Sequence, residues 1–242
     1  MNYKLICFDL DDTLWPCMPT IEQAEQTLYH WLAAHKSQIT QAYSMEQLRE
    51  KRKQLLTDQP ALKNDLSAAR RAHLKQLAAE FEMQDNWVET AFDVFYQARQ
   101  NVNLFADVIP VLSTLRLHYT LVALTNGNAH ISKTGLLNYF DLQISAADVN
   151  AAKPDPAMFF RALEQTGIAA SSAVHVGDHP VHDIRGARNA GLDAVWINRF
   201  NQQWDTRETM PDQQFTDLYQ LKDWLDTGLP EKENTRRVNK RE

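Results

Sequence analysis

Ile6-Cys7-Phe8-Asp9-Leu10-Asp11-Asp12-Thr13-Leu14 is the stretch from which the rest of this chain is read. An apolar run with the composition of a buried strand, expected over residues 3–9, ends in a dense group of carboxylates and a hydroxyl. Packing Asp9, Asp11 and Asp12 together costs like-charge repulsion and desolvation unless a cation or a substrate relieves it. An oxygen-only cluster favours a hard divalent ion, so Mg2+ is the expected cofactor. The plain alternative is an Asp-Thr turn or helix cap. Three elements further along the chain weigh against it.

Downstream of that turn the sequence changes character twice. Between about residues 20 and 102 there is no strand-like run, and helices are expected at roughly 20–37, 44–58, 64–83 and 86–101. Ser44 followed by Gln47 has the form of a capping box. Trp87, Ala91, Val94, Phe95 and Ala98 recur at helical spacing and predict a buried face. After Leu104, helices at about 108–117, 130–138, after Pro154 and at 181–190 alternate with strands at 120–125, 142–145, 173–177 and 194–197. Repeating strand–helix units predict a parallel sheet covered on both faces. The expected fold class is therefore α/β: a Rossmann-like core from residues 1–15 and 104–230, with an α-helical cap inserted at 16–103. The charged residues 231–242 lack an apolar period and are expected to form a frayed tail.

Composition narrows the function. With 25 Lys and Arg against 31 Asp and Glu, the net charge of -6 argues against general nucleic-acid binding. No apolar run is long enough to span a bilayer, and no secretory signal precedes the first strand, so no membrane partner is expected. Cys7 and Cys17 form neither a disulfide framework nor a zinc spacing, which makes the cytoplasm the expected compartment. A monomer or a homodimer is expected.

In a parallel sheet, ligands bind at the carboxyl ends of the strands. Asp9, Thr125-Asn126 and Gly177-Asp178 all fall at such ends, and Lys153 precedes a helix in a connecting loop. These are the parts a phosphoryl transfer needs. Asp9 is the expected nucleophile and Asp11 the expected general acid/base. Asp178 is the expected metal ligand, joined by Asp9 and the backbone carbonyl of Asp11. Thr125 and the backbone N–H of Asn126 would hold phosphate oxygens, and Lys153 would place a fixed positive charge on phosphate and nucleophile. Asp183 would support a metal-bound water or orient Lys153.

Asp9-Leu-Asp11-Asp-Thr13-Leu, Leu124-Thr125-Asn126-Gly127, Lys153-Pro154-Asp155-Pro156 and Gly177-Asp178 with Asp183 resemble, in order, the four signature motifs of the haloacid dehalogenase-like hydrolases. The resemblance covers residues 3–200 and makes the helical insertion a C1-type cap. Thr125-Asn-Gly-Asn-Ala129 and His175-Val-Gly-Asp178 are similar to bacterial members that dephosphorylate flavin mononucleotide and other small phosphates. The founding dehalogenases of this family, and its phosphonate-cleaving branch, lack a carboxylate at the position of Asp11. Its presence here implies a phosphatase of small phosphomonoesters acting through an aspartyl-phosphate. A sugar-phosphate mutase keeps that Asp too, and a non-catalytic phosphate-binding module is a further alternative. The implied partner is a small phosphorylated metabolite.

Several residues invite a second reading. His175, His179 and His182 flank Asp178 and Asp183, yet a hard oxygen site makes a histidine metal centre the weaker reading. His175, inside a strand, is expected to point into the core or away from the rim, whereas His179 lies near enough to meet substrate. Tyr29 and Trp31 read as core of the inserted helices, and Trp15 is balanced between core and a stacking face for substrate. Arg70, beside Arg71 in the third inserted helix, is the expected substrate contact from the cap.

Overall fold

The computed structural model describes residues 3–205 and 207–227, so the tail expected at 231–242 lies outside the described residues. Alternating side chains of β1 (Leu5–Phe8) serve both faces of a six-stranded sheet. The other strands are β2 (Thr120–Thr125), β3 (Leu142–Ser145), β4 (Ala173–Gly177), β5 (Asp193–Ile197) and β6 (Gln213–Phe215). Their order is β3-β2-β1-β4-β5-β6 and every pair is parallel. β1 therefore lies between β2 and β4, which puts the residues that follow these three strands side by side.

The insertion between β1 and β2 is helical: α1 (Cys17–His35), α2 (Ser37–Ala42), α3 (Met45–Asp58), α4 (Leu66–Glu80) and α5 (Val88–Arg99). Ser44 and Gln47 close the capping box at the start of α3, and Asp65 caps α4 by accepting from Ser67 and Ala68 N–H at 2.9 Å. These helices bury their own core, including Leu28, Leu32, Leu74, Trp87, Ala91 and Phe95. Tyr29 and Trp31 pack against it, as their spacing predicts.

The remaining helices cover the sheet. Those are α6 (Val108–Leu115), α7 (Ala146–Val149), α8 (Ala157–Thr166), α9 (Gly186–Asn189) and α10 (Leu218–Asp226). Ile6 and Phe8 of β1 pack with α6 and α10 on one face, and Leu5 and Cys7 pack with α8 and α9 on the other. Burial of some two dozen side chains on the first face alone supplies the main driving force for this arrangement. Among the described residues, no helix is long and apolar enough to cross a membrane.

Two local expectations are corrected. Residues 130–139 run as successive turns rather than a helix, because Gly135 takes a left-handed φ of +80° in their midst. The expected helix at 181–190 is a wide turn over Pro180–Arg185 followed by the short α9.

Candidate active site

Asp9 follows β1 directly, Thr125 closes β2 and Asp178 follows β4, so the sheet order brings all three to one rim. A cleft there of about 460 Å3, counting the part open to solvent, is lined by Asp9, Asp11, Thr125, Asn126, Lys153, Asp178 and Asp183 among others. Every site residue expected from the core motifs thus borders one cavity.

Lys153 is the charge at its floor. Only 3% of the residue is exposed, and Nζ donates to Asp9 Oδ1 at 2.6 Å, Asp183 Oδ1 at 2.6 Å and the Leu124 carbonyl at 2.8 Å. Burial alone would lower its pKa, but Asp183 and Asp9 overrule burial and hold the ammonium protonated. The Asn126 amide straps the Lys153 backbone from both sides, donating to its carbonyl at 3.0 Å and accepting from its N–H at 2.7 Å. Asn126 therefore positions Lys153 with its side chain and leaves its own backbone at the cleft.

Asp183 is fully committed. One oxygen takes Lys153 and, at 2.9 Å, His175 Nε2; the other accepts the His179 N–H at 2.9 Å. Burial would raise this carboxyl, yet Lys153 and His175 outweigh burial and hold it well below the usual range. His175 is fully buried, pointing into the core as its place in a strand predicts, but it also braces Asp183. Such close approach requires Gly177, since a Cβ there would lie 2.3 Å from Asp183 Cγ.

Asp9 and Asp178 are in the opposite state. Burial pushes Asp9 up to about 7 despite Lys153, with Asp183 adding to the rise. Burial, with Asp9 and Asp183 adding to it, pushes Asp178 up to about 9. Their nearest carboxylate oxygens and one of Asp183 all lie within 4.8 Å of one another. Such a set is unfavourable as anions unless a cation joins it, and its donors are all hard oxygens. Because Asp183 is already spent on other partners, Asp9 and Asp178 are the carboxylates that fit a Mg2+ ion. Thr13 Oγ1 donates to Asp178 Oδ1 at 3.3 Å, and Trp196 Nε1 donates to the Asp178 carbonyl at 2.6 Å, fixing that loop.

Asp11 faces the helical insertion. Arg99, at the end of α5, donates from Nη2 to both Asp11 oxygens at 2.7 Å, and Trp15 Nε1 donates to Oδ1 at 2.9 Å. Trp15 is fully buried, so its ring is core while its indole N–H holds Asp11. Arg99 is 1% exposed with Nε and Nη1 unpartnered. Its sequence signal was a cation four residues after Phe95 on the apolar face of a helix. Asp12 alone behaves as the plain turn residue: it takes φ 59° and its Oδ1 accepts the Cys17 N–H that opens α1.

Arg70 is the site expectation the structure corrects. It is buried inside the insertion, its guanidinium 3.7 Å from the centre of the Phe95 ring and 3.3 Å from Glu25, in a cavity separate from the acidic cleft. Glu25 also holds Arg49 and Arg52, at 2.7 and 2.6 Å, so Arg70 belongs to an internal ion cluster of the helices.

Comparison with known proteins follows the same lines. A sequence profile of the haloacid dehalogenase-like hydrolases matches residues 3–191. The 5-amino-6-(5-phospho-D-ribitylamino)uracil phosphatase YigB of Escherichia coli is 28% identical over 84% of this chain and 88% of its own length. The phosphoserine phosphatase of Thermus thermophilus is 34% identical over 53% of this chain and 54% of its own. Among solved structures, a 2-haloacid dehalogenase from Pseudomonas syringae superposes with a TM-score of 0.86 at 38% identity, over 94% of this chain and all of that one.

Proposed function

The chain belongs to the haloacid dehalogenase-like hydrolase family, and from that premise we propose that it is a Mg2+-dependent phosphatase of small phosphomonoesters. The observation that carries this reading is the pair of carboxylates at one cleft in contrasting environments. Asp9 is held by Lys153 beneath the cleft, and Asp11 is held from the insertion by Arg99 and Trp15. A carbon–halogen bond needs no leaving-group proton; an ester oxygen does.

A carboxylate oxygen of Asp9 attacks phosphorus, and the phosphorus–ester oxygen bond breaks. Asp11 gives its proton to the departing oxygen, leaving an alcohol and an aspartyl-phosphate. Asp11, now ionised, takes a proton from water as that water attacks phosphorus. The bond to Asp9 breaks, releasing inorganic phosphate and restoring Asp9 as a carboxylate and Asp11 as the protonated acid. Thr125 and the Asn126 N–H hold phosphate oxygens while Lys153 offsets their charge. Asp9, Asp178 and the Asp11 carbonyl would hold Mg2+, which supplies charge neutralisation on the transferring phosphoryl group. The substrate is a small phosphorylated metabolite. Because the Escherichia coli relative acts on a phosphorylated ribityl compound, that ester and flavin mononucleotide head the substrates to try.

The Pseudomonas relative gives the second reading, a dehalogenase. Phosphate release from a panel of esters, set against chloride release from 2-chloropropionate, separates the two. The proposal expects phosphate release that stops on Asp9→Asn and on exhaustive treatment with EDTA. Chloride release without phosphate release would replace it with the dehalogenase, and phosphoryl transfer to a second sugar hydroxyl without net release would replace it with the mutase.

A further inference from the structure

The acidic cleft adjoins a second cleft of similar size, about 460 Å3 with its open part, and the two share Asn126 and Gly127 as a common wall. A Cβ on Gly127 would stand 2.6 Å from Asp11 Oδ2, so the bare glycine leaves the Asp11 carboxylate at the junction of the two clefts. An ester whose phosphoryl group sits at Asp9, and whose bridging oxygen meets Asp11, has the second cleft as its nearest outlet for the rest of the molecule.

The walls of that outlet are mostly polar. Ser67 of α4 and Tyr96 of α5 face it from the insertion, and Asn128 and His130 face it from the loop after β2. Asn128 Nδ2 donates to Ser67 Oγ at 3.2 Å across the gap between insertion and core, and Asn64 bridges the same gap by donating to the Asn150 carbonyl at 2.9 Å and accepting the Ala152 N–H at 3.2 Å. The Asn128 main-chain carbonyl is taken by Gln100 Nε2 at 3.2 Å, whereas Asn128 Oδ1 and the Tyr96 hydroxyl, on the walls of the cleft, make no hydrogen bond among the described residues and remain available to a ligand. Among the described residues no Lys or Arg lines the cleft, and Asp65, the one acidic side chain on its walls, adds a negative charge while capping α4.

Resting on the phosphatase reading, we infer that this second cleft is the leaving-group subsite and that it selects an uncharged, hydroxyl-bearing group, an open-chain polyol or a sugar. A carboxylate or second phosphate would enter beside Asp65 with no Lys or Arg on the walls to receive it, Lys133 Nζ lying instead over the Tyr96 ring, 4.5 Å from its centroid. Hydroxyls replace their water contacts with Asn128, Ser67 and Tyr96.

Matched esters test this. Glycerol 1-phosphate and 3-phosphoglycerate, and ribitol 5-phosphate and 5-phosphoribonate, differ within each pair by an alcohol against a carboxylate. With the full chain and Mg2+, kcat/KM should be at least about tenfold higher for the alcohol of each pair. Ser67→Lys should move that ratio at least about tenfold toward the carboxylate, and Asn128→Lys on the facing wall should do the same if the first variant fails to fold. Calorimetric binding of the same pairs to Asp9→Asn should show the same order without turnover. Equal values, or a preference for the carboxylate, overturn the subsite; so does a protein that cleaves p-nitrophenyl phosphate but discriminates neither pair. A protein that cleaves no ester, p-nitrophenyl phosphate included, overturns the phosphatase reading and this inference with it.

Discussion

At the scale of single residues, the site is a contest over one ammonium. Lys153 serves Asp9 and Asp183 at equal distance, but His175 and the His179 N–H also serve Asp183, so Asp183 is the ionised partner and Asp9 is left under-compensated. Removing Lys153 would strand two buried carboxylates. Lys153→Met should lower unfolding free energy by about 3–5 kcal/mol in urea titrations and abolish turnover. An unchanged midpoint would mean the lysine is not the buried counter-ion described here. Arg99 tests the other carboxylate. Arg99→Ala should cut kcat by roughly tenfold or more on alkyl phosphates, and by less on p-nitrophenyl phosphate, whose leaving group needs little protonation. Arg99→Lys should restore part of the loss. Equal losses on both substrates would reduce Arg99 to a packing role.

At the scale of elements, helix starts and strand ends were legible because their signals are local. Ser44 with Gln47 marks the start of α3, and Asn64-Asp65 marks that of α4. Asp65→Ala should cost about 1 kcal/mol, read as a lower urea midpoint, since two N–H groups at the start of α4 lose their acceptor. The rim was legible for a related reason: a parallel sheet forces Asp9, Thr125 and Asp178 to the same edge wherever each strand sits in the chain. What failed depended on how elements pack. Whether Arg70 or Arg99 reaches the cleft is set by the packing of the inserted helices on one another, and α4 turns Arg70 inward onto Glu25. Residues 130–138 carry enough apolar side chains to look helical, but Gly135 breaks the run. β6 is a three-residue edge strand, too short to show a period, whereas α10 does carry a signal in Asp217 followed by Leu218, Leu221 and Leu225 at helical spacing.

At the scale of the whole molecule, two apolar clusters build the core and a third builds the insertion, with the carboxylates at the boundary between them. Charge gathered there should govern how stability responds to pH and to metal. Asp9 and Asp178 are raised, to about 7 and about 9. Unfolded, both titrate near a pKa of about 3.9. Between those values the folded chain binds more protons than the unfolded one, so metal-free stability should fall as pH rises from about 4 toward about 9. Asp183, held low, has the opposite sign: its contribution is complete above the unfolded pKa and is lost in acid below about pH 4. A Mg2+ ion held by Asp9 and Asp178 would bind the ionised carboxylates and compete with their protons. Thermal unfolding followed with and without Mg2+ should therefore show a gain in Tm that grows from about pH 6 to about pH 8.5. A gain that is flat or shrinks over this range would mean that Asp9 and Asp178 do not share the ion. The same measurement on Asp178→Asn should give a smaller gain, because one of the two direct carboxylate donors is gone while Lys153 and Asp183 keep the rim intact.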